Sequence, residues 1–355
     1  MVWSILNKKL PNILGIDISP TSIKLLELSK SGDHFKVEHY GVAPLFPDAM
    51  VESDVKDVNA IAEAVKLVVS RARTKCRNAI IAVPGSSVIT KTLQFDADLD
   101  ENEIEAQVQL EASRYIPYPM QEVSLDFQVL GQNHAKPDKI DVFVAASRTE
   151  KVNSRVNALA IGGLTTSIVD VETYAIERAC QHITDTLPNG GKHKTVAIID
   201  IGSVITSITV LHHLSTIYTR EEVFGGQLLT EAIQKRYSLI DKPIETAERQ
   251  GAPGVDCYTS EALEPFKEAL IPLIRRSLQF FFSASHYNEV DHIVLAGDGA
   301  LIPGLADLVT GCLGTKCTTA DPFINMTISS KVDRVALTAD APALMVCCGL
   351  ALRTF

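Results

Sequence analysis

Two stretches of this chain repeat one design, and that repeat limits the folds open to it. Residues 13–28 (ILGIDISPTSIKLLEL) run as an apolar strand, an aspartate, a small polar turn and a second strand. Residues 196–211 (VAIIDIGSVITSITVL) do the same, with Asp200 standing where Asp17 stands in the first. The two aspartates lie about half the chain apart. A duplicated unit of this kind builds two similar halves with a cleft between them. Small residues at the turn let backbone N–H groups approach a phosphate with no side chain in the way. A carboxylate at a strand end suits Mg²⁺, which binds largely through the waters it keeps. Asp and Gly also make plain turns in many β structures. Either hairpin alone is therefore a weak signal, and the matched pair is a stronger one.

The bulk properties narrow the classes of function. A chain of 355 residues has room for two or three domains. Hydrophobic residues at 46% and charged residues at 21% supply ample core for a soluble globular protein. The net charge of −10 and the lack of a basic stripe argue against a nucleic-acid partner. The longest apolar run, residues 341–352, is too short to span a bilayer and reads as a buried helix. Residues 1–9 (MVWSILNKK) lack the apolar segment and cleavage site of a signal peptide. Their Trp3, Ile5 and Leu6 suit a contact with a membrane surface or a partner, or simply a frayed terminus. Seven cysteines, none in a Cys-x-x-Cys pair, read as free thiols in a reducing cytosol. The nine histidines show no metal-binding spacing, and His212-His213 falls at a hairpin turn.

The pattern along the chain gives an α/β organisation. Strands are expected over residues 13–28 and 35–43, a helix over 58–75, and a buried strand over 79–83. A different character begins near Ser86: a strand at 88–95, a helix capped by Asp100 with Glu103 as its capping-box partner, strands at 123–130 and 140–146, and a helix over 150–160. This reads as a small α+β insert. A strand at 166–171 then leads into a helix starting at Glu172. Residues 188–191 (PNGG) mark a linker, after which the second half opens. It holds the second hairpin, a strand over 215–224, a helix from Gly225-Gly226 to Tyr237, a short helix at 245–249, a long helix over 261–285 kinked at Pro272, and a last helix over 342–352.

A third element completes the set. Residues 293–305 (IVLAGDGALIPGL) form a strand, a glycine turn and a helix start, where backbone and helix dipole favour a flat base or a phosphate. In this order the three elements resemble the superfamily of actin, sugar kinases and heat-shock chaperones. Residues 17–24 match its first phosphate loop, 200–207 its second, and 297–303 its adenosine motif. Residues 172–176 and 342–350 match its two connecting helices, and Gly225-Gly226 the glycine pair beside the nucleotide. Within the superfamily the chain is similar to the FtsA branch, and most to the PilM family of the type IV pilus machinery. The α+β insert, residues 224–230 (FGGQLLT) and residues 245–249 (ETAER) carry that step.

The resemblance implies an actin-like ATPase fold: two lobes of mixed five-stranded sheets with flanking helices, plus the insert in the first lobe. The first-lobe core would comprise residues 10–85, 161–191 and 336–355, the insert 86–160, the second-lobe core 192–224 and 286–335, and its subdomain 225–285. It implies ATP and Mg²⁺ between the lobes, with the metal at Asp17 and Asp200. Ser19, Thr21, Ser22, Lys24, Gly202, Ser203, Thr206, Gly225, Gly226, Glu248, Gly297, Asp298 and Gly299 would border the nucleotide, and Glu172 would orient water for at most slow hydrolysis. Two positions depart from the superfamily pattern: Asp298 replaces a glycine, and Thr173 replaces a proline after Glu172. The implied partner is the N-terminal cytoplasmic peptide of a PilN-like inner-membrane protein, gripped with help from the insert. Other pilus platform proteins or motor ATPases and self-association are further implied contacts, at the cytoplasmic face of the inner membrane. The rival expectations are an FtsA-like cell-division tether, a small-molecule kinase of the same superfamily, and the cytoplasmic part of a type II secretion protein. The tether would need an amphipathic C-terminal helix, the kinase a sugar-contact signature, and the secretion protein a transmembrane continuation; none is read in the sequence.

Overall fold

The computed structural model describes residues 13–133, 135–237 and 255–355. Apolar alternation and small turn residues produce the first three strands, Leu14–Ile18 (β1), Ser22–Ser31 (β2) and His34–Pro44 (β3). A two-stranded hairpin, Met50–Val51 (β4) with Asp54–Val55 (β5), follows. Helix Val58–Ala72 (α1) starts where the Asp57 carboxylate accepts from the amides of Asn59 and Ala60, and it buries the stripe Ile61, Val65 and Val68. Strand Asn78–Val83 (β6) completes this first run.

The segment after Ser86 forms Val88–Asp96 (β7), Glu101–Tyr115 (α2), Val123–Gln132 (β8) and Lys139–Arg148 (β9), and then Thr149–Ile161 (α3), whose Ala158 and Leu159 pack into the first-lobe core with Ile61 and Val65 of α1. Its three strands pair in the order β7-β9-β8. The capping box expected at Asp100 and Glu103 forms in both directions. Ile104 and Val108 of α2 cover Leu93, Phe95, Val142 and Val144 of the sheet. The chain returns through Thr165–Val171 (β10) into Glu172–His182 (α4).

The second lobe repeats the first. It is built from Thr195–Ile201 (β11), Thr206–His212 (β12), Ser215–Glu222 (β13), Gly226–Tyr237 (α5), Val255–Ala284 (α6), His292–Ala296 (β14), Leu305–Leu313 (α7) and Cys317–Thr319 (β15). The sheet order is β13-β12-β11-β14-β15, against β10-β6-β1-β2-β3 in the first lobe. In both, the first strand pairs antiparallel with the second and parallel with the strand on its other side. The register is equivalent too: Asp17 pairs with Lys24, and Asp200 with Ser207. The duplicated motif is thus a duplicated sheet.

Three details differ from the sequence expectation. The first-lobe sheet has six strands, because Thr327–Ile328 (β16) adds in parallel to the β3 edge. The chain therefore rejoins the first sheet ahead of residue 336, and two residues are too few for a strand period to show in the sequence. The long helix begins at Val255 rather than near 261, since its first turns are polar and lack the apolar spacing. A separate helix, Arg334–Asp340 (α8), comes before the terminal apolar run, and that run, expected as one helix, is a 3₁₀ turn at Ala341–Leu344 leading into the helix Met345–Ala351 (α9). The stretch Arg334–Ala351 is long and apolar enough to cross a membrane by composition, but 67% of it is packed inside the protein. The short helix at 245–249 and the segment Trp3 to Leu6 lie outside the described residues.

Helices α4 and α9 cross between the lobes. Gly349 is the crossing point: a Cβ there would fall 1.8 Å from the Ala175 carbonyl oxygen. The Arg178 guanidinium donates to the Gly349 carbonyl at 2.7 Å and to Asp170 at 3.1 Å, tying the crossing to β10.

Candidate functional site: a cleft between two hairpins

The β1–β2 and β11–β12 turns face one cleft, and the Gly297 turn after β14 closes a third side. Asp17, Asp200, Glu172 and Asp298 line it together with Lys24. Asp17 and Lys24 are neighbours across the hairpin, so their side chains share a face; the ammonium stands 3.5 Å from Asp17 and 3.7 Å from Asp298. Asp298, the departure from the superfamily pattern, thus reaches across to a first-lobe cation. Gly297 has φ +82, a left-handed backbone that L side chains avoid, and a Cβ there would stand 2.3 Å from the Asp200 carboxylate. Its amide donates to the Pro342 carbonyl at 2.9 Å, which seats the turn on the segment leading to α9.

The first hairpin turn is held by Ser19, whose amide and hydroxyl both donate to the Ser22 carbonyl, at 3.0 and 2.9 Å. Ser19 lines the cleft. Thr21 is exposed, with its carbonyl accepting from the Leu45 amide, and neither it nor Ser22 is part of the cleft wall. In the second hairpin Gly202 and Ser203 face the cleft, whereas Thr206 is fully buried and donates to the Phe224 carbonyl at 2.7 Å. That bond, with Gly226 N–H donating to Gly202 and Gln227 N–H to Ser203, docks the start of α5 onto the hairpin. Gly225 therefore stacks directly on residues 202–203, and Gly299 packs against Ile201 behind the wall. Glu248 lies outside the described residues.

Sequence reasoning missed several members of the wall. Ser207 occupies the register position of Lys24, and Glu221 from β13 accepts from the Ser86 amide at 3.0 Å, an inter-lobe contact. Arg155 enters the cleft from α3. It had one legible signal: it falls on the apolar stripe of Val152, Val156 and Leu159, where a charge is out of place.

The electrostatics of the cleft are those of a site for a cation and an anion together. Burial pushes the Glu172 carboxyl up to about 8, and Asp17 adds to the effect while Arg155 opposes it. Burial likewise raises Asp200 to about 7, with Lys24 opposing and Asp17 and Asp298 adding. Asp17 is raised by burial as well, and Lys24 is held charged above its usual range by Asp298, Asp17 and Asp200. Crowded, desolvated carboxylates of this kind favour a divalent ion. Among the described residues no three acidic, histidine or cysteine side chains converge on one point, so an ion here would keep waters, as Mg²⁺ does. The Ser203 hydroxyl is buried with no hydrogen-bond partner, on a hairpin whose backbone a phosphate can approach. The residues present fit a magnesium–nucleotide pair.

A family model described as type IV pilus assembly protein PilM matches residues 15–355. A solved PilM–PilN type IV pilus biogenesis complex is similar at 28% identity, over 97% of this chain and 98% of that one, with a TM-score of 0.78. The ethanolamine utilization protein EutJ from Carboxydothermus hydrogenoformans is similar at 15% identity, over 97% and 90%, with a TM-score of 0.55. A diol dehydratase-reactivating factor in nucleotide-free form is similar at 10% identity, over 97% and 100%, with a TM-score of 0.54. These last two share the fold, which is the actin-like ATPase fold.

Proposed function

This chain belongs to the PilM family of type IV pilus assembly proteins, and on that footing we propose that it is a nucleotide-loaded adaptor of the pilus assembly platform. It binds Mg-ATP between its lobes and holds the N-terminal cytoplasmic tail of a PilN-like protein at the cytoplasmic face of the inner membrane, in support of pilus biogenesis and twitching motility. The observation that carries the nucleotide half is the convergence of two equivalent hairpins on one cleft, each with an aspartate near the end of its first strand, Asp17 buried and Asp200 half-buried. Asp17 and Asp200 hold the magnesium ion through its waters. The turn amides and the Ser203 hydroxyl take the phosphates, joined by Lys24. Gly225, Gly226 and the 297–299 turn border the nucleoside, with Glu248 on the same side. Asp17 and Lys24 from the first lobe and Asp200 and Ser203 from the second would hold the ion and phosphates, so that residues of both lobes meet on one ligand, as in hinge closure. Glu172 is neutral near pH 7 because of its burial, which suits an adaptor that turns over slowly more than a fast hydrolase.

The solved PilM–PilN complex supports the partner half, and the insert offers a place for an extended tail. Where the chain enters and leaves the insert, Ile89, Ile116, Tyr118 and Val123 line a groove together with Ser86, Ser87, Ser147, Arg148 and Lys151, so its wall is mixed polar and apolar. The Arg148 guanidinium lies 4.0 Å over the Tyr118 ring, which stiffens the groove's mouth. A tail ordered on binding fits such a groove.

The test is the nucleotide content of the purified protein, read by chromatography after denaturation, for wild type and Asp200→Ala. Near-stoichiometric ATP in wild type, lost in the variant together with Mg-dependent binding, is the expected result. Unchanged ATP affinity in Asp200→Ala would sink the metal site.

A further inference from the structure

Neither hairpin motif accounts for Arg155, the best-buried cation of the cleft. Its side chain is 1% exposed. One Nη donates to the Lys151 carbonyl at 3.0 Å and the other to the Ser53 carbonyl at 2.6 Å. A guanidinium has five N–H donors, and here Nε is buried with no partner at all. No carboxylate among the described residues comes within ion-pair distance of it. Two backbone carbonyls fix the group's orientation without neutralising its charge. Burying a cation in this state is unfavourable unless an anion comes to it. Glu172 lies on the same side of the cleft but not within ion-pair distance, and burial pushes its carboxyl up to about 8, which keeps it largely protonated at neutral pH and a poor counter-ion.

The position of the group decides which anion. Arg155 shares the cleft wall with the Asp17–Ser19 turn, with Glu172 and with Ser53 of the β4–β5 hairpin, on the first-lobe side and opposite residues 202–205. The Gly297 turn and the Gly225-Gly226 pair, which border the nucleoside in the reading above, belong to the second lobe. We propose that Arg155 receives the terminal phosphate of the bound nucleotide, so that the cleft distinguishes a nucleoside triphosphate from a diphosphate. This rests on the reading of the cleft as a nucleotide site. The planar guanidinium offers Nε–H and the unused Nη hydrogens as parallel donors, the geometry that matches two phosphate oxygens.

The experiment measures Mg-ATP and Mg-ADP affinities by calorimetry for wild type, Arg155→Lys and Arg155→Met, with a thermal melt of each. In Arg155→Met, ATP affinity is expected to fall tenfold or more while ADP affinity stays within twofold of wild type. Arg155→Lys keeps the charge but not the fork, and it is expected to lose several-fold of the ATP preference. Equal losses for ATP and ADP would mean that Arg155 only braces α3 against the β4–β5 hairpin, and the proposal falls. It also falls if Arg155→Lys, folded, keeps the full ATP:ADP ratio, and that arm decides should Arg155→Met fail to fold. Wild type binding neither nucleotide would overturn the nucleotide reading itself. Wild type binding both equally tightly would overturn only the role of Arg155.

Discussion

At the scale of single residues, the protonation of Asp200 runs against the magnesium-holding role proposed for it. A carboxylate that takes part in holding magnesium must be ionised, yet burial raises Asp200 to about 7. Metal binding at such a group releases a proton. Mg-ATP affinity is therefore expected to weaken as pH falls from 8 to 6, by roughly tenfold for one group carrying one proton over one unit below its pKa. Asp200→Asn removes that dependence together with most of the binding. Calorimetry in two buffers of different ionisation enthalpy checks it, since wild type should release protons on binding near pH 7. The aspartates and the Gly297 turn were legible in the sequence because each sits in a local pattern of strand, acid and small turn. Lys24 was named through the first phosphate-loop resemblance, and its pairing with Asp17 across the hairpin came only with the structure. Ser207 closes the second phosphate-loop stretch but was not singled out, and Glu221 was not legible, because strand register brings it to the cleft and no motif marks it. Thr206 carries a motif position but spends its hydroxyl inside the protein, on Phe224.

Among the elements, the crossing of α4 and α9 decides whether two separate sheets behave as one hinged body. The helices touch backbone to backbone at Gly349 and Ala175, a spacing that admits no side chain. Gly349→Ala must push them apart or displace α4. Either loosens Glu172 at the head of that helix and the Arg178 bond to the Gly349 carbonyl. Overpacking of this kind costs on the order of 1–3 kcal/mol, and a contact this close puts the variant at the upper end. A lower denaturant midpoint with an unchanged slope is the expected result; an unaltered midpoint would show that the crossing yields freely. Long, periodic elements such as α1 and α2 could be placed from sequence to within a few residues, because their apolar stripes and acidic N-caps are local. The two-residue strand β16 could not, since only contact with the β3 edge gives it form, and the seven-residue α8 is too short for an apolar period to show, although Asp333 caps its start.

For the whole molecule, duplication gathers negative charge at one place. Each half contributes a strand-end aspartate, and closing the halves on each other buries both beside Glu172. In the folded protein Glu172 and Asp200 hold protons up to about 8 and about 7, whereas in the unfolded chain they release them near 4.5 and 3.8. Between those limits the native state binds more protons than the unfolded state, so their contribution to stability falls as pH rises. His182, His212 and His292, lowered chiefly by burial, act in the opposite sense below about 6.5. The carboxyl effect should therefore stand clear between pH 6.5 and 8, below the range where thiols raised by burial, such as Cys180, Cys347 and Cys348, add to the fall, and there the nucleotide-free wild-type protein loses several degrees of melting temperature. The double variant Glu172→Gln with Asp200→Asn should melt higher than wild type at pH 8 and show a flatter profile across that window. Such a gain would mean that the site is kept at the expense of stability, as sites built for a ligand often are. Saturating Mg-ATP should flatten the wild-type profile as well, because the ligand binds the ionised folded state. Parallel profiles for wild type and double variant would place the origin of the pH dependence outside the cleft. A variant flat in pH yet still stabilised by Mg-ATP would separate the burial of these carboxyls from the role of Asp200 in holding the ion.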